Sequence, residues 1–149
     1  MIERAIETDI PEITVLIEEA IKTCIDVTNH EANELVSQCV SNMHWWRNNA
    51  NDTVHLVYRT DDRIVGVVLI KEYWNLVSLF VAPDHHARGI GKQLVLEALS
   101  QCRGKSPKGI VKLCSSTHAQ DFYRTIGFHQ VGEPKALPGG CIPFSYLLG

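Results

Sequence analysis

Apolar positions along the chain switch between a period of two and a period near 3.6 residues, and each switch marks an element. Ile2, Arg4 and Ile6 fall on one side of a first strand, Ile2 to Ile6. Asp9 and Pro11 then start a helix, since a capping carboxylate and an early proline both favour one. Ile13, Leu16, Ile17, Ala20, Ile21 and Cys24 give that helix a single apolar stripe. The polar stretch Asp26 to Glu31 breaks the pattern. Leu35, Val36, Cys39, Val40 and Met43 predict a second helix ending near Trp45-Trp46.

Strands follow. Asn48, Asn49, Asn51 and Asp52 make a turn, after which Val54, Leu56 and Tyr58 alternate. Thr60-Asp61-Asp62-Arg63 reads as a hairpin loop, Ile64 to Ile70 as a buried strand, and Trp74 to Val81 as the next one after a turn at Lys71 to Tyr73. From Ile90, the residues Leu94, Val95, Ala98, Leu99 and Cys102 recur at helical spacing. Gly104 to Lys108 is a loop, Ile110 to Cys114 an apolar strand, and a short helix starts after Ser116 and ends at Gly127. Cys141 to Leu148 closes the series. The order β-α-α-β-β-β-α-β-α-β-β, with three strands in succession before a crossover helix, predicts an α/β fold on a mixed sheet, in one domain over residues 1–149.

The junction of strand and helix at residues 81–92 carries chemistry. Gly89 and Gly91 remove Cβ atoms from the start of a helix, where backbone N–H groups lack partners and the macrodipole is positive. Arg88 and Lys92 add full charges on the same side. A phosphate or pyrophosphate suits such a place. The alternative is a tight corner with no ligand. Glycine costs roughly 0.8–1.0 kcal/mol against alanine inside a helix, so Gly91 implies close approach by something. Two nucleotide motifs are excluded: His86 and Gln93 break the P-loop pattern, and Leu94 stands where a dinucleotide fingerprint needs its third glycine.

Composition narrows the partners. A hydrophobic content of 45% supports a real core, and a net charge of −3 gives no general pull towards nucleic acid or an anionic membrane. There is no run of eighteen apolar residues and no basic, then apolar, N-terminal leader, so a cytoplasmic protein is expected. Five widely spaced cysteines without a Cys-x-x-Cys pair read as reduced core thiols, not as a disulfide frame or zinc site. No metal is expected.

Two motifs together resemble the GNAT acyltransferase superfamily. Its acetyl-CoA loop has the form Gln/Arg-x-x-Gly-x-Gly/Ala after a strand ending near Val-x-Pro. This chain reads His86-Ala87-Arg88-Gly89-Ile90-Gly91 after Val81-Ala82-Pro83, with His86 the departure. The second motif, Asn-x-x-Ala-x-x-Phe-Tyr-x-x-x-Gly-Phe, is matched by Ala119, Phe122, Tyr123, Gly127 and Phe128, with Ser116 in place of Asn. The element order also matches, so the resemblance covers nearly the whole chain.

The resemblance implies acetyl transfer from acetyl-CoA to a primary amine of a small molecule or protein. It implies that the strands Trp74–Val81 and Ile110–Cys114 splay apart. Leu79 and Val81 would then bond the pantetheine amides as if they formed an added strand. A backbone N–H near Leu79 or Phe80 would polarise the thioester, and residues His86, Ala87, Arg88, Gly89, Ile90, Gly91 and Lys92 would hold the pyrophosphate. Ser116, Ala119 and Phe122 join this coenzyme set. Phe122 is expected to pack inward and to leave Tyr123 facing the cleft as the acid for the departing thiolate. Some relatives place a carboxylate where Asn75 stands, so Glu72 or a water chain is the alternative base. Trp45 and Trp46 either stack on the acceptor, seal the core or meet a second subunit of a homodimer. The loop Leu137 to Gly140 either covers the cleft or joins a partner subunit. A non-catalytic module that senses acyl-CoA is the competing function.

Overall fold

A computed structural model describes residues 1–149. One seven-stranded sheet runs in the order β1-β2-β3-β4-β5-β7-β6. Its strands are β1 (Ile2–Arg4), β2 (Thr53–Thr60), β3 (Arg63–Lys71), β4 (Asn75–Val81), β5 (Ile110–Ser115), β6 (His129–Gln130) and β7 (Ile142–Leu147). Helices α1 (Ile10–Cys24) and α2 (Asn29–Arg47) precede β2, α3 (Ile90–Cys102) crosses from β4 to β5, and α4 (Gln120–Ile126) follows β5. No helix is long and apolar enough to cross a membrane.

The element order is the one expected, and the departures have local causes. β1 stops at Arg4 because the Asp9 carboxylate captures the Ile6 N–H at 3.0 Å and starts a single 3-10 turn, leaving Ile6 exposed. Helix α2 begins earlier than the apolar stripe suggests. Thr28 and Glu31 form a reciprocal capping box there, each side chain accepting from the other residue's N–H. Between β2 and β3, Asp61 and Asp62 take positive φ, as a two-residue hairpin loop with right-handed strand twist requires.

Helices cover both faces of the sheet. A Cβ at Gly66 on β3 would meet Leu94 of α3 at 2.8 Å. Three residues on, Leu69 stands opposite His55 of β2, whose ring carries the edge of Trp46 from α2 at 4.3 Å. An odd separation along a strand changes face, so α3 lies on one side and α1 with α2 on the other. This is why Ile64 to Ile70 is buried without alternation.

All strand pairs are antiparallel but one. β4 and β5 run parallel and pair in register only at Asn75 and Lys112, with the Lys112 N–H on the Trp74 carbonyl at 2.7 Å. Beyond that point they diverge, which opens a gap in the middle of the sheet.

One expectation is corrected. Cys114 and Cys141 form a disulfide, with Cα atoms 4.9 Å apart, while Cys24, Cys39 and Cys102 are free. The cause is topological. β5 and β7 are antiparallel neighbours with Ser115 opposite Ile142, which brings two cysteines 27 residues apart onto adjacent strand ends.

Candidate active site

The gap between β4 and β5 is part of a cleft of about 880 Å³. Its floor at one end is the loop after β4. Ala82 is buried and donates its N–H to Val65 on β3 at 2.8 Å. Since the register then pairs Phe80 with Val67, Phe80 also turns its backbone groups to β3. Leu79 and Val81 turn theirs the other way, into the gap. Leu79, not Phe80, therefore presents its amide to the cleft.

After Pro83 to His85 the chain reaches Ala87 (φ 64°) and Gly89 (φ 76°), both left-handed. Gly89 is the N-cap of α3 and has no side chain to occupy the first-turn donors. The Gln93 N–H bonds the Gly89 carbonyl at 3.0 Å, so the amides of Ile90, Gly91 and Lys92 precede the helix's own ladder. Nothing crowds the space where a Gly89 Cβ would sit, so the residue is glycine for its φ. Gly91 differs. A Cβ there would lie 3.3 Å from Cζ of Phe122, and the close approach that the sequence implied comes from that ring.

Charge around the loop favours an anion. The nearby Asp84 carboxylate is turned to His85 at 2.8 Å and Arg63 at 3.0 Å, and those two hold its pKa down to about 2. Lys92 stands on the cleft wall. His86, the departure from the expected loop pattern, folds back so that Nε2 lies 3.0 Å from the Val81 carbonyl oxygen. It staples the loop to the end of β4.

The opposite wall comes from residues 114–126. The Ser116 hydroxyl accepts the Ala119 N–H at 3.2 Å and sets the turn into α4. Gly127 (φ 121°) ends α4 and sends the chain back, so that Phe128 and Phe144 close on Tyr123. Here the expected orientation is corrected. Tyr123 is buried, at 6% exposure, and Phe122 is the half-buried member. Both rings nevertheless line the cleft. Burial pushes the Tyr123 phenol well above the ordinary tyrosine range, so it keeps its proton at any working pH.

Every residue expected to touch the coenzyme borders this cleft except Arg88, which is exposed outside it. The residues offered as acceptor contacts do not border it. Asn75 sits at the closed end of the gap, paired with Lys112. Glu72 is in the β3–β4 turn at φ 55°, accepting the Trp74 indole N–H at 3.3 Å. Trp46 is buried against His55, and Trp45 lies under the Lys71 ammonium at 4.9 Å. The remaining cleft wall comes from Ala20 and Cys24 of α1, Ile25 just past its end, Leu35 of α2, and Pro138 to Gly140. Those last three residues roof the cleft. A Cβ on Gly139 would lie 2.9 Å from Ile25, and one on Gly140 2.5 Å from the Thr117 hydroxyl.

Residues 23–142 match the model of the acetyltransferase (GNAT) domain. The chain belongs to the GNAT family. Solved GNAT structures share its fold over nearly full length at low identity. A PaiA N-acetyltransferase from Thermoplasma acidophilum, solved in complex with coenzyme A, superposes with TM-score 0.77 at 16% identity, covering 99% of this chain and 98% of that one. A ribosomal-protein-alanine N-acetyltransferase from Brucella melitensis gives 0.75 at 18%, covering 99% of each. A GCN5-related N-acetyltransferase from Rhodopseudomonas palustris gives 0.77 at 18%, over 99% of this chain and 94% of that one. Comparison with curated proteins found no sequence match.

Proposed function

We propose that this GNAT domain is an acetyl-CoA-dependent N-acetyltransferase that passes the acetyl group directly to a primary amine. The observation that carries this reading is convergence. Strand β4 running on into the loop 86–92 and, later in the chain, the segment 116–123 border one cleft beneath a gap in the sheet. The similar Thermoplasma acidophilum structure was solved with coenzyme A, which supports the same guest here.

Each segment has a task. The amides of Ile90, Gly91 and Lys92, with the Lys92 ammonium, take the pyrophosphate at the helix N-terminus. Leu79, and Val81 through its N–H, take the pantetheine amides along the edge of β4 that faces the gap. The Leu79 N–H is aimed into the gap, where it stabilises negative charge growing on the thioester oxygen. Tyr123 gives its proton to the departing sulfur.

Calorimetry with acetyl-CoA, followed by thiol release with a panel of amines, tests the proposal. Binding in the micromolar range with acceptor-dependent release is expected. Binding with no release on any amine would instead favour a sensor of acyl-CoA, and no binding at all would remove both readings.

A further inference from the structure

The acceptor end of the cleft has a definite chemical character. Sixteen of the 27 lining residues are hydrophobic, with Ala20, Ile25, Leu35 and Pro138 contributed by elements other than the phosphate loop, and no carboxylate lines the cleft. The titratable side chains on the wall are Lys92, the imidazoles of His85, His86 and His118, the Cys24 thiol and the Tyr123 phenol. Burial raises the Cys24 thiol first, with Glu19 adding to the effect. Away from the phosphate loop the wall thus offers a cation apolar surface and no carboxylate. Moving an ammonium into it would strip the ion of water without a compensating partner, which is costly.

On the reading that the cleft transfers acetyl from acetyl-CoA, we propose that the acceptor is a weakly basic amine, neutral when it binds, carried on an apolar ring: an arylamine. The chemistry of the step agrees. An alkylammonium must lose a proton to a base before it can attack. A neutral amine attacks as it is: a C–N bond forms to the acetyl carbon and the C–S bond breaks. The sulfur leaves with the proton of Tyr123, and the proton shed by the acylated nitrogen restores the phenol. One phenol suffices, and the carboxylate replaced by Asn75 has no work to do. Gly139 packs on Ile25, and with Leu35 of α2 these residues give the acceptor ring an apolar wall.

The test compares 4-methylaniline with benzylamine, which match in size and differ in basicity. At about pH 7 only roughly one part in a thousand of an alkylamine with a lysine-like pKa is neutral. The expected kcat/KM ratio favours 4-methylaniline by at least about tenfold at pH 7. It should shrink by up to about tenfold for each unit of rising pH as free benzylamine accumulates. Leu35→Glu should move the ratio about tenfold towards benzylamine, while Leu35→Gln, equal in shape and uncharged, should not. Coenzyme A binding, measured on the same preparations, reports folding and separates the two layers of the argument. A preference for benzylamine at pH 7, a ratio that ignores pH, or turnover of neither amine by protein that binds coenzyme A would overturn the arylamine assignment alone. Failure to bind coenzyme A would overturn the reading beneath it.

Discussion

The two ends of the cleft are built on different principles. The phosphate part of the proposed coenzyme end is local: a dozen consecutive residues leave β4, pass two left-handed positions and enter α3 with their amides bare. On the proposed reading the acceptor end is assembled from three distant pieces, α1 with Ile25, α2 and the loop 138–140, held by side-chain packing and by the Cys114–Cys141 disulfide. One end is backbone chemistry that almost any sequence with the right glycines can perform. The other depends on side chains, and on the proposed reading specificity resides there. Changes at the first end should abolish binding, and changes at the second should alter stability or choice of acceptor.

The largest effect expected is at Gly89. A glutamate there must adopt a left-handed conformation, costing about 1–2 kcal/mol, and sets a carboxylate beside the bound pyrophosphate. Acetyl-CoA affinity should fall by about a hundredfold or more by calorimetry. Gly89→Ala carries the strain without the charge and should lose about tenfold at most. Equal losses in the two variants would mean that the loop is only a corner.

Next is Tyr123→Phe, which sharpens the boundary between the ends because the residue lies between them. Deleting the hydroxyl should lower kcat by about a hundredfold or more and leave acetyl-CoA affinity within about twofold. The buried ring still packs on Phe128 and Phe144, so thermal stability should hold. Because the phenol is raised well above its usual range, kcat should show no alkaline loss attributable to it.

The support beneath the acceptor end should fail first in acid. His55 lies under α2 with both ring nitrogens unpaired, beside Trp46, and burial lowers its pKa to about 4. A histidine in the unfolded chain takes up its proton near pH 6.5. Stability is therefore complete above 6.5 and is lost as pH falls towards 4, by up to about 3 kcal/mol, because the unfolded state binds the proton first. His55→Leu should flatten this part of the curve in denaturant titrations at stepped pH. An unchanged slope would assign the acid loss to other groups.

How much of this could be read from the sequence follows the same division. The phosphate loop was legible because its function lies in consecutive residues, and the period of the apolar positions gave the element order. The disulfide was not legible, because it needs the pairing of β5 with β7 across 27 residues. Val54, Leu56 and Tyr58 alternate, yet His55 between them is buried as well. Both faces of β2 are covered by helices, so alternation carried no information about exposure there. The placement of Tyr123 and Phe122 failed for a related reason: Gly127 brings Phe128 and Phe144 over Tyr123, and that closure is tertiary. Two local signals were present in the sequence. Thr28-x-x-Glu31 is a capping box at the start of α2, and His118 stands within the second motif on the cleft wall.

The disulfide tests whether the two ends are mechanically separate. Closing a loop of this length stabilises a fold by about 3 kcal/mol in the chain-entropy account. Reduction, or Cys114→Ser with Cys141→Ser, should lower the denaturation midpoint accordingly. Cys141 anchors the roof, pairing through its carbonyl with the Lys135 N–H at 2.8 Å, so acceptor KM should rise several-fold. Acetyl-CoA affinity should stay within about threefold, since the loop 86–92 hangs from β4 and α3 and not from β7. A comparable loss at both ends would show that the roof also shapes the phosphate site.

The smallest effect is expected at Gly91, and its smallness is informative. Its neighbour Gly89 is required for a backbone angle, whereas Gly91 is helical and limited only by the Phe122 ring 3.3 Å from the missing Cβ. An aromatic ring tip on the half-buried side chain can yield by a few tenths of an ångström. Alanine also recovers most of the roughly 0.8–1.0 kcal/mol that glycine costs inside a helix. Gly91→Ala should therefore change the melting temperature by no more than about 2–4 °C in either direction. It should weaken acetyl-CoA by less than about fivefold, because the new methyl points at Phe122 and not at the first-turn amides. A loss as large as that of Gly89→Glu would mean that coenzyme and Phe122 compete for the same face of Gly91. The coenzyme would then have to lie between the helix and α4, not across the helix end.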